Sequence, residues 1–89
     1  MEQHVHERPS PHDYVNASCA TTISVARLTI GDVVETGELG RGYQVVLTVA
    51  MRPYSNALFA TREGAINYMR LVAAAHVIGA MRKELDEDA

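Results

Sequence analysis

A single long helix is the strongest constraint on how this chain folds. Residues 61–85 place apolar side chains three and four positions apart, which is the spacing of one face of an α-helix. Thr61 precedes this periodic run, and its hydroxyl is suited to accept a hydrogen bond from a free N–H of the first turn. The pattern predicts a helix of about 25 residues, roughly 37 Å long, that begins after Thr61.

The apolar positions of this helix form two stripes. A folded body of about 70 residues spans roughly 30 Å, so we expect the helix to extend beyond its own sheet. The first stripe has the composition of a core face, and the second lies beside it with nothing in the sequence assigned to cover it. The first stripe comprises Ala65, Ile66, Met69, Val72, Ala73, His76, Val77 and Ala80, and the second comprises Leu71, Ala74, Ala75, Ile78, Met81 and Leu85.

Two alternatives are open for the second stripe. A symmetry mate covers it, which gives a homodimer through the helix of residues 61–85, or the N-terminal segment folds back over it. We favour the homodimer because closed two-fold assemblies are the commonest oligomers. The small residues of the helix, including Gly79, would let a second helix approach closely.

The segments before the helix predict an antiparallel sheet. Residues 19–36 are rich in Thr, Ile and Val, and the apolar parity changes after Val25, which predicts a bulge near Ala26 or partial cover on both faces. Residues 43–52 alternate in a second long strand, and residues 57–60 form a short third. The predicted fold is α+β: a small antiparallel β-meander, two long strands plus a short third, with one long C-terminal helix packed across one face.

The first 18 residues are predicted to form a flexible N-terminal arm, disordered or extended, ahead of a single α+β domain at residues 19–89. This segment is polar and shows no apolar periodicity. Tyr14 and Val15 are its expected anchors, with the exposed helix face as the surface they reach. An H-x-H pair without a fixed third ligand predicts no metal site. The histidines of this segment are His4, His6 and His12.

Composition and charge restrict the compartment and the partner. The chain has 8 basic and 11 acidic residues, and this net charge of −3 does not favour non-specific binding to phosphates. Cys19 has no second cysteine to pair with, which is typical of a reducing cytoplasm, and we expect it to be a small buried residue. No stretch approaches the ~18 apolar residues of a membrane span.

The sequence contains no motif that predicts catalysis. The glycine-rich connection at residues 37–42 lacks the spacing of a phosphate-binding loop and indicates a hairpin turn. His76 lies on the core stripe with no carboxylate or cysteine at helical spacing, so a buried or interface histidine is expected rather than a base. We therefore expect a protein that is not an enzyme and has no cofactor.

Two surfaces are candidates for binding a macromolecule, namely the exposed sheet face and the acidic tail. Clustered carboxylates imitate a phosphate field. We expect a small interaction protein with a protein partner rather than nucleic acid. By analogy of size, it would be an accessory or inhibitor protein of phage or mobile-element type, for example one acting on a host nucleic-acid-handling or defence complex. The sheet face carries Arg27, Thr29, Gln44, Thr48 and Arg52, and the tail carries Glu84, Asp86, Glu87 and Asp88.

The alternative function is an RNA- or DNA-binding module that uses the arginines of the sheet face. Such modules stack bases on aromatic side chains at alternating strand positions, and these aromatics are missing here. Affinity that falls steeply with salt would distinguish this alternative from a protein-binding surface.

Overall fold

The computed structural model describes residues 4–14, 17–36, 42–52 and 54–88. In this part of the chain, five strands follow one another in chain order across one antiparallel sheet, and a long helix follows them. The predicted α+β meander with a C-terminal helix is confirmed, although the sheet has five strands rather than three. The elements are β1 (Val5–Pro9), β2 (Ala17–Val25), β3 (Leu28–Thr36), β4 (Gly42–Leu47), a 3₁₀ helix (Val49–Met51), β5 (Ala57–Phe59) and α1 (Arg62–Asp88).

Thr61 caps α1 as predicted, because the backbone N–H of Gly64 donates to its Oγ1 at 3.1 Å. The helix has 27 residues and is roughly 40 Å long. The whole molecule measures 52 × 24 × 22 Å, and the helix accounts for most of its longest dimension. The helix therefore extends beyond the sheet, as its length predicts.

The predicted core stripe of α1 is correct only in its first half. Met69 and Ala73 are buried against the sheet, together with Ala65 and Val72. Further along, His76 is half-buried, while Val77 and Ala80 are exposed. The prediction is wrong for these last positions because the sheet ends before the helix does.

The helix-facing side of the sheet supplies the rest of the core. Ile23, Val33 and Val45 come from three neighbouring strands and are almost fully buried. Met51 completes this cluster from the 3₁₀ helix, so the prediction of one strand over residues 43–52 is wrong after Leu47. The chain turns into the core there instead of continuing along the sheet.

The predicted long strand at residues 19–36 is a hairpin. Ala26 and Arg27 have φ angles of 50° and 69°, and they form the two-residue turn between β2 and β3. The predicted bulge lies further along, where Ile23 pairs with Gly31 and Ser24 pairs with Thr29. The change of parity therefore comes from a turn and a bulge together.

Part of the predicted N-terminal arm belongs to the sheet. Residues 5–9 form β1, which pairs antiparallel with β2 along its whole length. Only Val5 of this strand packs against the core, so there was no alternating pattern to indicate a strand. An ion pair between Glu7 and Arg62 joins β1 to the first residue of α1. Val15, Pro53 and residues 37–41 of the turn predicted at 37–42 lie outside the described residues, and Gly42 begins β4.

We expect the double substitution Ala26→Asn/Arg27→Gly to raise the free energy of unfolding by about 1–2 kcal/mol. Both positions have positive φ, where asparagine and glycine are tolerated and alanine and arginine are strained. Urea unfolding followed by circular dichroism measures the change. Arg27→Lys is the matched control and should give no gain, because lysine keeps the same strain; an equal gain in both variants would contradict the explanation.

Candidate functional site

The sheet face opposite α1, called here the outer face, carries the most polar cluster of the described residues. The strand register places Arg8, Thr22, Asp32 and Val46 in one row across four strands. Asp32 is only 4% exposed although it lies on the face away from the helix. A buried carboxylate needs hydrogen-bond donors, so its partners show how this face is built.

Three hydroxyl groups donate to the Asp32 carboxylate. Ser10 Oγ donates to Oδ2 at 2.9 Å, and the Tyr14 hydroxyl donates to the same oxygen. Thr22 Oγ1 donates to Oδ1 at 2.6 Å from the neighbouring strand. Residues 10–14 therefore cross the outer face and are fastened to its centre.

These contacts fix the charge state of the cluster. Burial by itself would raise the pKa of the Asp32 carboxyl, but the hydrogen bonds from Thr22, Tyr14 and Ser10 outweigh it, and the pKa lies below its ordinary value. Burial and the contact with Asp32 raise the pKa of Tyr14 to about 12. At neutral pH the carboxylate is ionised and the phenol is neutral, so neither is suited to proton transfer.

A shallow open pocket of roughly 190 Å³ lies beside this cluster. Arg8 and His12 contribute to its walls, and Thr29 and Thr48 line it as well. Both oxygens of its carboxylate are already occupied by donors from the protein itself. The cluster therefore fastens the N-terminal segment to the sheet and leaves no oxygen of Asp32 without a donor.

The structure brings together only some of the predicted sheet-face residues. Thr48 Oγ1 donates to the backbone oxygen of Thr29 at 3.4 Å, so these two residues meet. Arg27, in the hairpin turn, and Arg52, after the 3₁₀ helix, are exposed at this same end of the sheet. We call residues 26–29 and 48–52 the turn end. Gln44 lies further along β4, where its amide donates to the backbone oxygen of Ala57 at 3.2 Å.

The large side chains of the second stripe that the structure describes are exposed. Leu71 is 69% exposed, Ile78 is 54% exposed and Met81 is 58% exposed. Ala74 and Ala75 between them are half-buried. Leu85 and the acidic residues Glu84, Asp86, Glu87 and Asp88 lie within α1, but their side chains are outside the described residues.

Residues 4–14, the described part of the N-terminal segment, do not cover this stripe. Tyr14 was expected to anchor on the helix, and that expectation is wrong, because its hydroxyl is bound to Asp32 on the outer face. Backbone hydrogen bonding places Ser10 there too, since its N–H donates to the oxygen of Ala20 at 2.9 Å. Of the two alternatives for the second stripe, cover by the N-terminal segment is therefore excluded for residues 4–14.

The structure also bears on the single cysteine, on metal binding and on membrane spans. Cys19 is exposed, so the expectation of a buried cysteine is wrong; it lies near the start of β2, away from the core cluster. Among the described residues there is no group of three or more side chains that would hold a metal ion. No helix in this part of the chain combines the length and the apolarity needed to span a membrane.

Comparisons with known proteins identify no relative. The chain matches no protein-family model, and neither a curated protein nor a solved structure is similar to it.

The Asp32 cluster predicts how stability depends on pH. Folding lowers the pKa of Asp32. Its contribution to the free energy of unfolding is therefore present above the pKa of the unfolded chain, about 4, and is lost as the pH falls below that value. The pKa of Tyr14 is raised, so its contribution is present below about 10 and is lost as the pH rises toward about 12. Urea midpoints measured across these ranges should show both losses.

Two variants isolate these contributions. Asp32→Asn should have a smaller acid loss than the native chain, and Tyr14→Phe should have a smaller alkaline loss. Tyr43→Phe is the matched control for the second variant, because its hydroxyl is not part of the cluster. Equal pH profiles for the native chain and Asp32→Asn below pH 4 would show that the carboxylate is not stabilised by its three donors.

Proposed function

We propose that this protein is a non-enzymatic interaction protein that acts by binding another macromolecule and assembles as a homodimer through α1. One observation carries the proposal. Four of the six exposed large hydrophobic side chains among the described residues lie between positions 71 and 81 of α1. A contiguous apolar surface of this kind marks an interaction site, whereas scattered exposed hydrophobic residues do not.

The state of the polar cluster supports a role in binding rather than in catalysis. Asp32 is ionised with both oxygens occupied, and Tyr14 is neutral, so neither of these two groups is poised as an acid or base at neutral pH. The single cysteine supports a reducing compartment, and we propose the cytoplasm.

If α1 is used for assembly, the turn end is the first candidate surface for a partner. Arg52 and Val49, which is 72% exposed, line the same depression there, and Arg27 is exposed in the hairpin turn. Arginine next to an exposed apolar side chain is a common composition for a protein interface. We propose that a protein partner binds there and that the chain acts as an accessory or inhibitor protein. The acidic end of α1 is the other candidate surface.

The test is a capture experiment that compares charge-reversal variants. The tagged protein is incubated with lysate, with and without nuclease, and the affinity for any recovered partner is then measured. Arg27→Glu and Arg52→Glu should each weaken binding of a protein partner about tenfold, as expected for charged groups at the edge of an interface. Lys83→Glu makes the same change of charge on α1, away from the turn end, and should leave the affinity unchanged.

The outcomes separate the candidate functions. A stoichiometric protein that survives nuclease and is lost in the arginine variants supports a protein partner at the turn end. Unchanged affinity in both arginine variants would exclude that surface and leave the acidic end of α1. Recovery that disappears with nuclease and falls steeply with salt would make nucleic-acid binding the function instead.

A further inference from the structure

The exposed stripe of α1 has the spacing of a coiled-coil seam. Its apolar residues are separated by three, four, three and four positions, and the same spacing reaches one position further at each end, to Asn67 and Asp88. This is the a/d repeat of a heptad, and its apolar part covers about two heptads, from residue 71 to residue 85, because Asn67 and Asp88 are polar. The a and d positions are held by five of the six residues of the second stripe, and Ala75 lies next to the seam at position e: the five are Leu71, Ala74, Ile78, Met81 and Leu85.

We propose that α1 pairs with α1 of a second copy as an antiparallel two-stranded coiled coil, and that the two-fold axis between the helices lies level with residue 76. This inference rests on the proposed function, and it names the occupant of the exposed stripe and its orientation. Antiparallel coiled coils pack a positions against d positions of the other helix. In this register, Leu71 meets Met81, and the small Ala74 meets the larger Ile78.

The charges that flank the stripe favour the antiparallel orientation. Arg70 and Glu84 occupy equivalent flanking positions two heptads apart, which corresponds to the two ends of the stripe. When two helices run antiparallel about residue 76, each Arg70 lies next to Glu84 of the other copy, and the symmetry produces this pair twice. A parallel pair would instead place Arg70 against Ala75, with no opposite charge.

The fold leaves room for this pairing. The other face of α1 packs on the sheet through Met69 and Ala73, so the stripe points away from the sheet of its own chain. Residues 10–14 are fastened to the outer face by Asp32 and do not compete for the stripe. The assembly would have four layers: sheet, helix, helix, sheet.

Disulfide trapping tests the orientation. In a Cys19→Ser background, Leu71→Cys and Met81→Cys are prepared as two separate proteins and oxidised alone or mixed. In the antiparallel register, identical positions lie ten residues apart along the axis, or about 15 Å, which is beyond the reach of a disulfide. Each protein alone should therefore remain uncrosslinked, and the mixture should form the mixed disulfide, identified by mass spectrometry.

A charge swap tests the register without touching the apolar seam. Arg70→Glu and Glu84→Arg should each weaken dimerisation about tenfold, since two attractive pairs become two repulsive ones. The double variant should restore the affinity to within about twofold, because the pairs are re-formed with their signs exchanged. Sedimentation measures the dimer, and circular dichroism confirms that each variant is folded.

Each outcome decides the inference. A mixed-only disulfide with restoration in the double swap supports it. Crosslinking of each single variant by itself would show a parallel pair and overturn it, while leaving the stripe as an interface. A protein that remains monomeric at high concentration would overturn it too. In that case the capture experiment is repeated with Ile78→Glu, and loss of the partner in this variant would show that a different macromolecule binds the stripe. The proposal of an interaction protein can therefore hold when the proposal of an antiparallel dimer fails.

Discussion

Replacing Asp32 with alanine is expected to lower the free energy of unfolding by about 3–5 kcal/mol, since hydrogen bonds to a charged group contribute about 1.5–3 kcal/mol each and are not additive. The substitution removes the acceptor of three hydroxyl groups and leaves them buried or half-buried without it. It also releases residues 10–14 from the outer face, because Ser10 and Tyr14 both donate to this carboxylate.

Urea unfolding at a fixed protein concentration measures this loss, since dimerisation would otherwise change the apparent stability. Asp13→Ala is the matched control: Asp13 is exposed in the same segment as Ser10 and Tyr14, and the change should be within about 0.5 kcal/mol. Thr22→Val and Tyr14→Phe each remove one donor and should cost about 1–2 kcal/mol. A loss below about 1 kcal/mol for Asp32→Ala would show that the cluster does not hold the sheet and the N-terminal segment together.

Gly31→Ala is expected to destabilise the fold by about 3 kcal/mol, the upper part of the range for overpacking in a core. A Cβ at this position would lie 2.3 Å from the backbone oxygen of Val46 and 2.9 Å from Cα of Leu47. Both neighbours are backbone atoms of β4, so the contact is relieved only by separating β3 from β4 next to the bulge.

The same substitution at Gly79 is the matched control and should have the opposite sign. A Cβ there meets no heavy atom within 4 Å, so the suggestion that Gly79 serves close packing has no support within a single chain. Alanine should stabilise α1 by up to about 1 kcal/mol, as at an open helical position. If Gly31→Ala were as stable as the native chain, β3 and β4 could not be as close as described. If Gly79→Ala were to abolish dimerisation, the proposed seam would be wrong, because Gly79 lies outside it.

The site was the least predictable part of the molecule. Asp32 is separated in sequence by 22 residues from Ser10 and by 18 from Tyr14, and no local spacing relates these positions. The available signal was the aspartate itself: a carboxyl group within a run of β-branched residues needs donors if it is buried. Thr22 is ten residues from Asp32 and lies on the neighbouring strand, so identifying it as a donor required the register of β2 against β3.

Three parts of the fold could not be predicted from local sequence patterns. β1 is held by backbone pairing and one ion pair, with little apolar burial to indicate it. The hairpin turn uses Ala26 and Arg27, two residues that ordinarily avoid positive φ. The chain leaves β4 after Leu47 because Met51 packs into the core, which overrides the alternation that predicted a longer strand.

The sequence by itself determined the α+β class, the long helix, its cap at Thr61 and the two stripes of α1, because periodicity and capping depend on residues only a few positions apart. The tertiary structure alone decided which stripe stays exposed. The sheet is shorter than α1, so residues 77–83 of the helix are exposed, and Asp32 binds Ser10 and Tyr14 on the opposite face of the sheet. Burial and hydrogen bonding between distant residues made that choice, and such contacts follow from strand order and register rather than from neighbours in sequence.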